Sequence, residues 1–392
     1  MSRARRILVA LISLIIATAV YLPCMHWAFR PAVNDLVSAK GVAPLPAKLA
    51  RRHLHMWTDP KELKGELAKM RAANAEWDFM GRSFLTWSLA NMAMREPAQA
   101  GAMLAAMDRI IDQTLLIERE KGMRFFLMGY ADRKPWVQQP PRSLFVDGEI
   151  ALMLGMRCMV EDKTAYRVEL DRRIKEIVKR MEASPSLSAE SYPDECWSFC
   201  NVTALSAIRV SDYLDGTDHG ELIGRWLAYA KANLVDPRTG MIVSAYRLNG
   251  QMIYPPEGSS VWYVSHHLAL LDEPFGREQY ELAKKHLAGE LLGFGYAREW
   301  PEGLADHMDV DSGLVLPGSG ASVASTGLAY IAAGTYGDVE FLQSLTTSVS
   351  ALGFGVETDG GLRYAAGNQV GDAVMLYGLT TGPVWRKLRG RK

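Results

Sequence analysis

The sequence of 392 residues predicts an all-α fold, an (α/α)6 barrel with an N-terminal transmembrane anchor helix and a few short β-hairpins. A long apolar segment opens the chain, and about a dozen stretches with helical spacing of apolar residues follow it, separated by loops rich in Gly, Pro and Asp. The alternative, a stacked helical solenoid, lacks support because the sequence shows no fixed-period repeat. No Gly-rich loop follows a strand, which argues against a dinucleotide-binding or P-loop fold.

The N-terminal segment, residues 1–30, predicts a membrane anchor. Arg3, Arg5 and Arg6 precede an uncharged stretch of about 23 residues, long enough at roughly 1.5 Å per residue to cross a hydrocarbon core of about 30 Å. Because arginines stay on the cytoplasmic side, we expect a single-pass membrane protein whose residues after position 30 lie on the outer side of the membrane. A cleaved signal peptide is the competing interpretation, since residues 17–19 (ATA) resemble a cleavage site.

Beyond the anchor, residues 31–58 contain three prolines and predict an extended arm, and residues 59–392 predict the barrel. Short β-like runs are predicted at 124–128, 241–247 and 251–255, of which the last two flank the hairpin signal Leu-Asn-Gly. Helical spacing predicts barrel helices near residues 59–74, 78–95, 97–120, 142–160, 162–183, 196–215, 219–234, 258–271, 276–292, 318–335, 338–352 and 370–388.

Composition argues against several classes of function. The 44 Lys and Arg residues balance 44 Asp and Glu residues, so the chain lacks the excess of basic residues that nucleic-acid binding requires. Four cysteines in a chain of this length do not form a disulfide scaffold. No HExxH pattern or paired Cys motif is present, so no metal site is expected. The many Trp, Tyr and Met side chains suit the lining of an apolar pocket.

The densest group of chemically active side chains lies in residues 191–201 (SYPDECWSFCN). Asp194 and Tyr192 can exchange protons with a substrate, and the N-terminus of the predicted helix would favour a thiolate. Cys196 and Cys200 are expected one turn apart on one helix face, a geometry that fits a disulfide poorly. The structural alternative is that an acid of this segment caps the helix while both cysteines are core residues.

Three further places hold candidate residues. Glu149 follows Asp147 in an otherwise apolar helix, so its carboxyl group is either desolvated, with a raised pKa, or paired with a base. The structural alternative is that Asp147 caps the helix and Glu149 forms a buried pair. His307 and Asp311 lie in a polar loop that suits the rim of a pocket, although its acids lack the Gly and Glu of a calcium loop. Asp78 lies among aromatic residues and is most simply the N-cap of its helix.

Residues 193–201 (PDECWSFCN) resemble the linalool dehydratase/isomerase family, in which Pro-Asp is followed by an aromatic region and then Cys-Asn. The resemblance covers residues 80–392 and implies an (α/α)6 barrel that acts without metal or organic cofactor. It also implies dehydration and isomerisation of a tertiary allylic alcohol by acid–base groups, in a periplasmic homo-oligomer. Segments that match in the same order are 214–218 (LDGTD), 226–227 (WL), 234–237 (LVDP), 272–275 (DEPF) and 362–364 (LRY).

The resemblance also implies roles for particular residues. Cys200 matches one of the two active-site cysteines of the family, whereas the other falls on Ser191 and the glutamate that follows it falls on Tyr192. The active-site histidine of the family falls on Glu149, and Asp78 is the candidate for its N-terminal aspartate. These departures argue against linalool itself and favour a different small hydrophobic substrate, an isoprenoid-like alcohol or alkene.

The resulting hypothesis is a cofactor-independent lyase or isomerase that dehydrates, isomerises or cyclises such a substrate. A buried neutral acid would protonate the hydroxyl or alkene, a second group would remove a proton, and aromatic faces would stabilise the positive charge. Two alternatives stay open: a carbohydrate-active enzyme with paired carboxylates, and a non-catalytic membrane-tethered binding protein. The catalytic candidates are Cys200, Glu149, Asp194, Tyr192, Cys196 and Asp78, and the substrate-binding candidates are Trp197, Asn201, Ser191, Trp262, His307 and Asp311.

Overall fold

A computed structural model describes residues 2–304 and 313–390. The first helix, α1 (Arg3–Cys24), begins where the Ser2 hydroxyl accepts a hydrogen bond from the Arg5 backbone N–H, and it continues as a 3-10 turn, Met25–Ala28. Its large apolar side chains are exposed, and nothing in the described part of the chain covers them. The helix is long and apolar enough to span a membrane, as the sequence predicts.

Residues 31–58 fold against the barrel instead of forming the expected extended arm. They form α2 (Val33–Leu36) and α3 (Pro44–Thr58), whose buried residues include Met56 and Trp57. Both prolines of α3 lie in its first turn, where a backbone N–H has no partner within the helix, so proline is compatible with a helix start. Two of the three prolines that favoured an extended arm therefore mark the beginning of a helix.

The barrel helices alternate between an inner and an outer layer. In chain order they are α4 (Pro60–Ala73), α5 (Ala75–Arg95), α6 (Ala100–Lys121), α7 (Leu144–Val160), α8 (Thr164–Glu182), α9 (Ser198–Asp215), α10 (Gly220–Asn233), α11 (Gly258–Leu271), α12 (Glu273–Leu287), α13 (Val323–Tyr336), α14 (Val339–Leu352) and α15 (Gln369–Thr380). The short helix α16 (Pro383–Arg389) follows them and contacts α5, α9 and α11.

Six of these helices form a closed ring. Each of α5, α7, α9, α11 and α13 packs against the next odd-numbered helix, and α15 packs back against α5. Helices α4, α6, α8, α10, α12 and α14 form the outer layer. The sequence encodes this division, because every residue of α7 from Leu144 to Met159 is buried whereas α8 buries an apolar stripe and exposes charged residues. The predicted (α/α)6 barrel is confirmed.

Short antiparallel hairpins connect outer helices to the inner helices that follow. The strands are β1 (Cys196–Trp197), β2 (Ala245–Tyr246), β3 (Met252–Tyr254), β4 (Ala288–Leu291), β5 (Phe294–Ala297), β6 (Gly355–Thr358) and β7 (Gly361–Tyr364). They pair as β1–β2–β3, β4–β5 and β6–β7. Because each outer helix returns the chain to the same end, these hairpins and all six inner-helix N-termini lie together at one end of the barrel.

Several predicted boundaries are wrong. The helix predicted at 276–292 ends at Leu287, and β4 follows it, because the glycine-rich residues 289–295 form a hairpin instead. The helix predicted at 370–388 is interrupted at Gly382, whose φ of 116° does not fit a helix, and becomes α15 and α16. The β-like run at 124–128 is largely a 3-10 turn, Met123–Phe126.

Aromatic side chains fill the barrel axis beyond the first turns of the inner helices. The ring of Trp87 lies 5.1 Å from that of Phe84 and 5.6 Å from that of Tyr377, and the rings of Tyr263 and His267 lie 4.4 Å apart. All five side chains are buried. This packing closes the axis, so that open space remains at the N-terminal end of the inner ring.

Candidate active site

A cavity of about 480 Å³ lies at the end of the barrel where the inner helices begin. Every inner helix or the loop before it contributes to the wall, and most of the wall is aromatic or aliphatic. The apolar lining includes Trp77, Met80, Phe145, Trp197, Phe199, Leu328, Val370 and Val374. The polar groups on the wall are Glu76, Tyr130, Tyr192, Cys200, Glu257, Ser259, Ser260 and Asn368.

The start of α5 decides which acid faces the cavity. The Asn74 side chain accepts a hydrogen bond from the Glu76 backbone N–H at 2.8 Å, so Asn74 is the N-cap and the helix begins three residues earlier than predicted. Glu76 consequently lines the cavity. Asp78, expected to be the cap, is buried behind the wall and accepts a hydrogen bond from Arg82 Nε at 2.7 Å.

Tyr192 forms a hydrogen-bonded pair with Glu76 on the cavity wall. Its hydroxyl donates to Glu76 Oε1, accepts from the Met128 backbone N–H at 2.9 Å, and belongs to a ring that stacks on Tyr130 with centroids 4.4 Å apart. Burial, with the negative charge of Glu76, raises the pKa of Tyr192 far above its ordinary value. Tyr192 is therefore a neutral phenol that donates its proton to a carboxylate.

The Cys200 thiol lies in the first turn of α9 and lines the cavity, with 6% of the residue exposed. Burial raises the pKa of Cys200 well above its ordinary value, a hydrogen bond with Ser191 opposes this rise, and the nearby charges of Glu149 and Glu76 add to it. The expected thiolate is thus disfavoured, because desolvation and two acids outweigh the helix N-terminus. Ser191 lies behind Cys200, fully buried.

Glu149 lies beneath the cavity, one turn along α7 from the lining residue Phe145. Its Oε2 accepts a hydrogen bond from Ser83 Oγ at 2.5 Å, and its Oε1 has no hydrogen-bond partner among the described residues. Burial raises the pKa of Glu149 to about 8, against the opposing effect of the Ser83 hydrogen bond and with a contribution from Glu76. Glu149 is largely protonated at neutral pH.

Asp194 points away from the cavity. Residues 192–195 form a tight turn closed by a 2.9 Å hydrogen bond from the Glu195 N–H to the Tyr192 carbonyl, and Asp194 occupies its corner at a φ of 62°. Its carboxylate pairs with Arg247, near the β2–β3 hairpin. The turn that presents Tyr192 to the cavity thereby directs Asp194 outward.

The remaining predicted residues of the motif have structural contacts. Cys196 is buried in β1 instead of lying on the helix with Cys200, because α9 begins only at Ser198. Asn201 accepts from the Ala189 N–H at 3.1 Å and donates to the Trp197 carbonyl at 2.9 Å, which holds the preceding segment against α9. Trp197 lines the cavity and stacks on Tyr254.

Other candidates lie elsewhere. Trp262 is fully buried beside Phe341 and donates to Ser325 Oγ at 3.1 Å, away from the cavity lining. Asp147, considered as a cap, instead forms buried ion pairs, including one with Arg173 at 2.7 Å. His307 and Asp311 lie outside the described residues. Within the described ranges, no cluster of three or more His, Cys, Asp or Glu side chains is arranged to hold a metal ion.

Sequence reasoning missed six polar residues of the described wall, namely Glu76, Tyr130, Glu257, Ser259, Ser260 and Asn368. Glu257 is buried immediately before α11, and its backbone N–H donates to Ser244 Oγ at 2.9 Å. Their positions along the chain could have identified two of these residues. Glu76 and Glu257 each lie within two residues of the start of an inner helix, and the cavity forms at that end of the inner helices. Tyr130 lies in a 3-10 turn and had no comparable signal.

The closed ring of paired helices around this cavity places the chain among (α/α)6-barrel proteins. A solved structure of a UGL variant with dGlcA-Glc-Rha-Glc matches with a TM-score of 0.51 at 14% identity, over 78% of this chain and 86% of that chain. Two further solved structures are similar. The unsaturated glucuronyl hydrolase of Bacillus sp. GL1 matches with a TM-score of 0.49 at 14% identity, over 78% of this chain and 86% of that chain. A GH76 α-mannanase of Bacteroides thetaiotaomicron matches with a TM-score of 0.47 at 10% identity, over 80% of this chain and 87% of that chain. At these identities the likeness concerns the fold alone.

The sequence signature of the linalool dehydratase/isomerase family matches residues 146–370, more than half of the chain. The chain therefore belongs to the linalool dehydratase/isomerase family, and the suspected resemblance is confirmed. The matched region begins three residues before Glu149 and contains Tyr192 and Cys200. A search of curated protein sequences found no match. Family membership supports an enzyme, in agreement with a cavity that brings a thiol, a phenol and carboxyl groups together.

Proposed function

We propose that this protein is an acid–base lyase or isomerase that acts on a hydrophobic, isoprenoid-like alcohol or alkene. The observation that carries the proposal is the placement of a phenol–carboxylate pair and a thiol on a mostly apolar cavity wall, with a protonated carboxyl one turn beneath. An apolar cavity of about 480 Å³ matches the size and chemistry of a small terpenoid with a single hydroxyl group.

In the proposed dehydration, Glu149 is the acid. When substrate binding exposes the Glu149 carboxyl, which does not line the cavity, its proton passes to the substrate hydroxyl; the C–O bond then breaks, and water leaves an allylic cation behind. The aromatic faces of Trp197 and Phe199 stabilise this cation. The Glu76 carboxylate then takes a proton from the carbon next to the cation, and an alkene forms. One proton leaves Glu149 and one arrives at Glu76, so that proton return between the two carboxyl groups completes the cycle.

Tyr192 and Cys200 have supporting roles in this scheme. Tyr192 donates its hydroxyl proton to Glu76 and fixes the orientation of that carboxylate toward the cavity. The neutral Cys200 thiol presents a weakly polar surface on the cavity wall, near both acids, without introducing a competing charge. A protonated Glu149 is chemically suited to donate a proton, whereas an ionised carboxylate would not be.

The experiment is turnover of a panel of monoterpenoid and sesquiterpenoid alcohols, with products identified by gas chromatography and mass spectrometry. Glu149→Gln and Glu76→Gln are expected to lower kcat at least 100-fold, as loss of a general acid or base does. The matched control is Asp194→Asn, which changes an acid of the motif at residues 193–201 that faces away from the cavity. Full turnover in both glutamine variants would refute the proposed chemistry.

A second candidate, a carbohydrate-active enzyme, is favoured by one observation. Glu76 and Glu257 both line the cavity, and paired carboxylates are the groups that cleave glycosidic bonds. This candidate predicts new reducing ends after incubation with oligosaccharides, with loss of activity in Glu257→Gln. The terpenoid proposal predicts that no new reducing ends form. It also predicts that proton transfer does not require an acid at position 257.

We further propose that the barrel lies on the periplasmic side of the inner membrane, held by α1, and that the protein is a homo-oligomer. The arginines before Ile7 support the orientation. A C-terminal alkaline phosphatase fusion to the full chain should be active and a C-terminal green fluorescent protein fusion dark; the reverse pattern would contradict the orientation. Light scattering of the detergent-solubilised protein tests the assembly, and a monomer mass would contradict it.

A further inference from the structure

An apolar hairpin tip lies beside the end of the anchor helix. In the β4–β5 hairpin, Leu291 and Leu292 are exposed by 65% and 39%. Residues 291–297 (LLGFGYA) carry no charged side chain. Gly293, at a φ of 85°, lies directly against the His26 ring, where a Cβ atom would overlap the imidazole. Two exposed leucines are thus placed next to the point where the chain leaves α1.

Polar and aromatic contacts fix this position. The Phe294 ring lies 6.4 Å from the ring of His26 and also 6.4 Å from that of Phe29. The Arg30 guanidinium donates to Gln343 Oε1 at 2.6 Å, and the Gln343 amide donates to the Pro31 carbonyl at 2.7 Å. The end of the anchor is therefore bound to both the hairpin and α14, so the height of the hairpin relative to α1 is determined.

If α1 spans a bilayer, the position of the hairpin tip along the axis of α1 coincides with a membrane–water interface. Tyr21 and Trp27 are exposed by 72% and 67% near the outer end of the apolar segment. Exposed tyrosine and tryptophan side chains at the end of a membrane helix occupy the headgroup region. Since Gly293 contacts His26, the neighbouring residue of Trp27, the hairpin tip lies at the same depth.

We propose that Leu291 and Leu292 insert into the leaflet that holds the outer end of α1, so that the hairpin is a second membrane contact of the barrel. The inference rests on the proposed insertion of α1. The occupant is the lipid bilayer itself, because the two exposed leucines lie beside the outer end of a helix whose exposed apolar side chains suit a bilayer. Two contacts at one depth restrict the tilt of the barrel on the membrane, which a single helix leaves free.

The test uses the full chain reconstituted into phosphatidylcholine vesicles, with a cysteine-linked environment-sensitive fluorophore. In a Cys24→Ser background the three remaining cysteines are buried, and labelling of this background alone measures any reaction at Cys200 on the cavity wall. Leu292→Cys is the test position and Val168→Cys, on the exposed face of α8, is the matched control. Quenching by lipids with a nitroxide near the headgroup should be at least threefold stronger at position 292, and quenching by aqueous iodide correspondingly weaker.

A third label separates the two proposals. Ser13→Cys places the fluorophore in the middle of α1. Lipid quenching at positions 13 and 292 supports both the anchor and the hairpin contact. The hairpin contact is overturned, and the anchor is retained, if lipid quenches the label at position 13 while iodide quenches the label at position 292 as strongly as the label at position 168. Iodide quenching at all three positions overturns both. A melting curve of each labelled variant confirms that it is folded.

Discussion

The substitution Glu149→Gln tests the electrostatic state of the buried acid independently of any substrate. Burial raises the pKa of Glu149 from an ordinary value of 4.5 to about 8. Between these two values the folded protein keeps the proton that the unfolded chain has lost, so the stability of the parent falls as pH rises. The slope for one group is roughly 1.4 kcal/mol per pH unit.

The expected magnitude follows from that window. Relative to pH 4.5, the penalty grows to on the order of 3 kcal/mol at pH 7 and approaches on the order of 5 kcal/mol above pH 8, where the folded protein also ionises. Glutamine keeps the shape and an amide oxygen for the Ser83 hydroxyl, but it cannot ionise. Glu149→Gln should therefore be close to the parent in stability at pH 4.5 and clearly more stable than the parent at pH 8.

The assay is denaturant-induced unfolding of the full chain in detergent, measured for parent and variant from pH 4.5 to 8.5 by tryptophan fluorescence. The relevant quantity is the difference between the two proteins, because all other titrating groups contribute equally to both. A difference that does not change with pH would refute the conclusion that Glu149 is buried and protonated at neutral pH, and with it the proposed acid.

The other predictions concern the site, the core and the anchor. Cys200→Ala should lower kcat/KM for an identified substrate at least tenfold, whereas Cys158→Ala, which also removes a buried thiol, should leave kcat/KM within twofold; equal effects would contradict a cavity role for Cys200. Asp78→Ala should destabilise the protein by about 3–5 kcal/mol in urea unfolding, because Arg82 remains buried without its partner; a loss below about 1 kcal/mol would contradict this. Gly293→Ala should displace the residues that follow α1, and limited proteolysis should then cut near residue 30 faster than in the parent; an unchanged rate would contradict the contact with His26.

Local patterns were sufficient for the architecture. The N-terminal apolar run predicted α1, and apolar spacing predicted the alternation of fully buried helices such as α7 with amphipathic helices such as α8. The Cys-Asn motif located the start of α9, near the cavity. Residues 196–201 are adjacent in sequence, so their proximity does not depend on the fold of the rest of the chain. Each of these properties depends on residues within a few turns of one another, so the sequence contains it directly.

Packing alone decided which groups meet. Tyr192 finds its carboxylate at Glu76, 116 positions away, and Asp194 is removed from the cavity by a turn and by Arg247. The predicted start of α5 at residue 78 left Glu76 outside the helix, whereas the observed start at Ala75 places Glu76 and Asp78 about 200° apart around the helix, with Glu76 on the cavity wall. The protonation of Cys200 and Glu149 follows from desolvation, and desolvation depends on side chains brought from the whole ring. The sequence thus determined the helices, including the apolar α1, whereas the closed barrel determined which groups meet and how they are protonated, because distance and solvent exclusion exist only after the ring has formed.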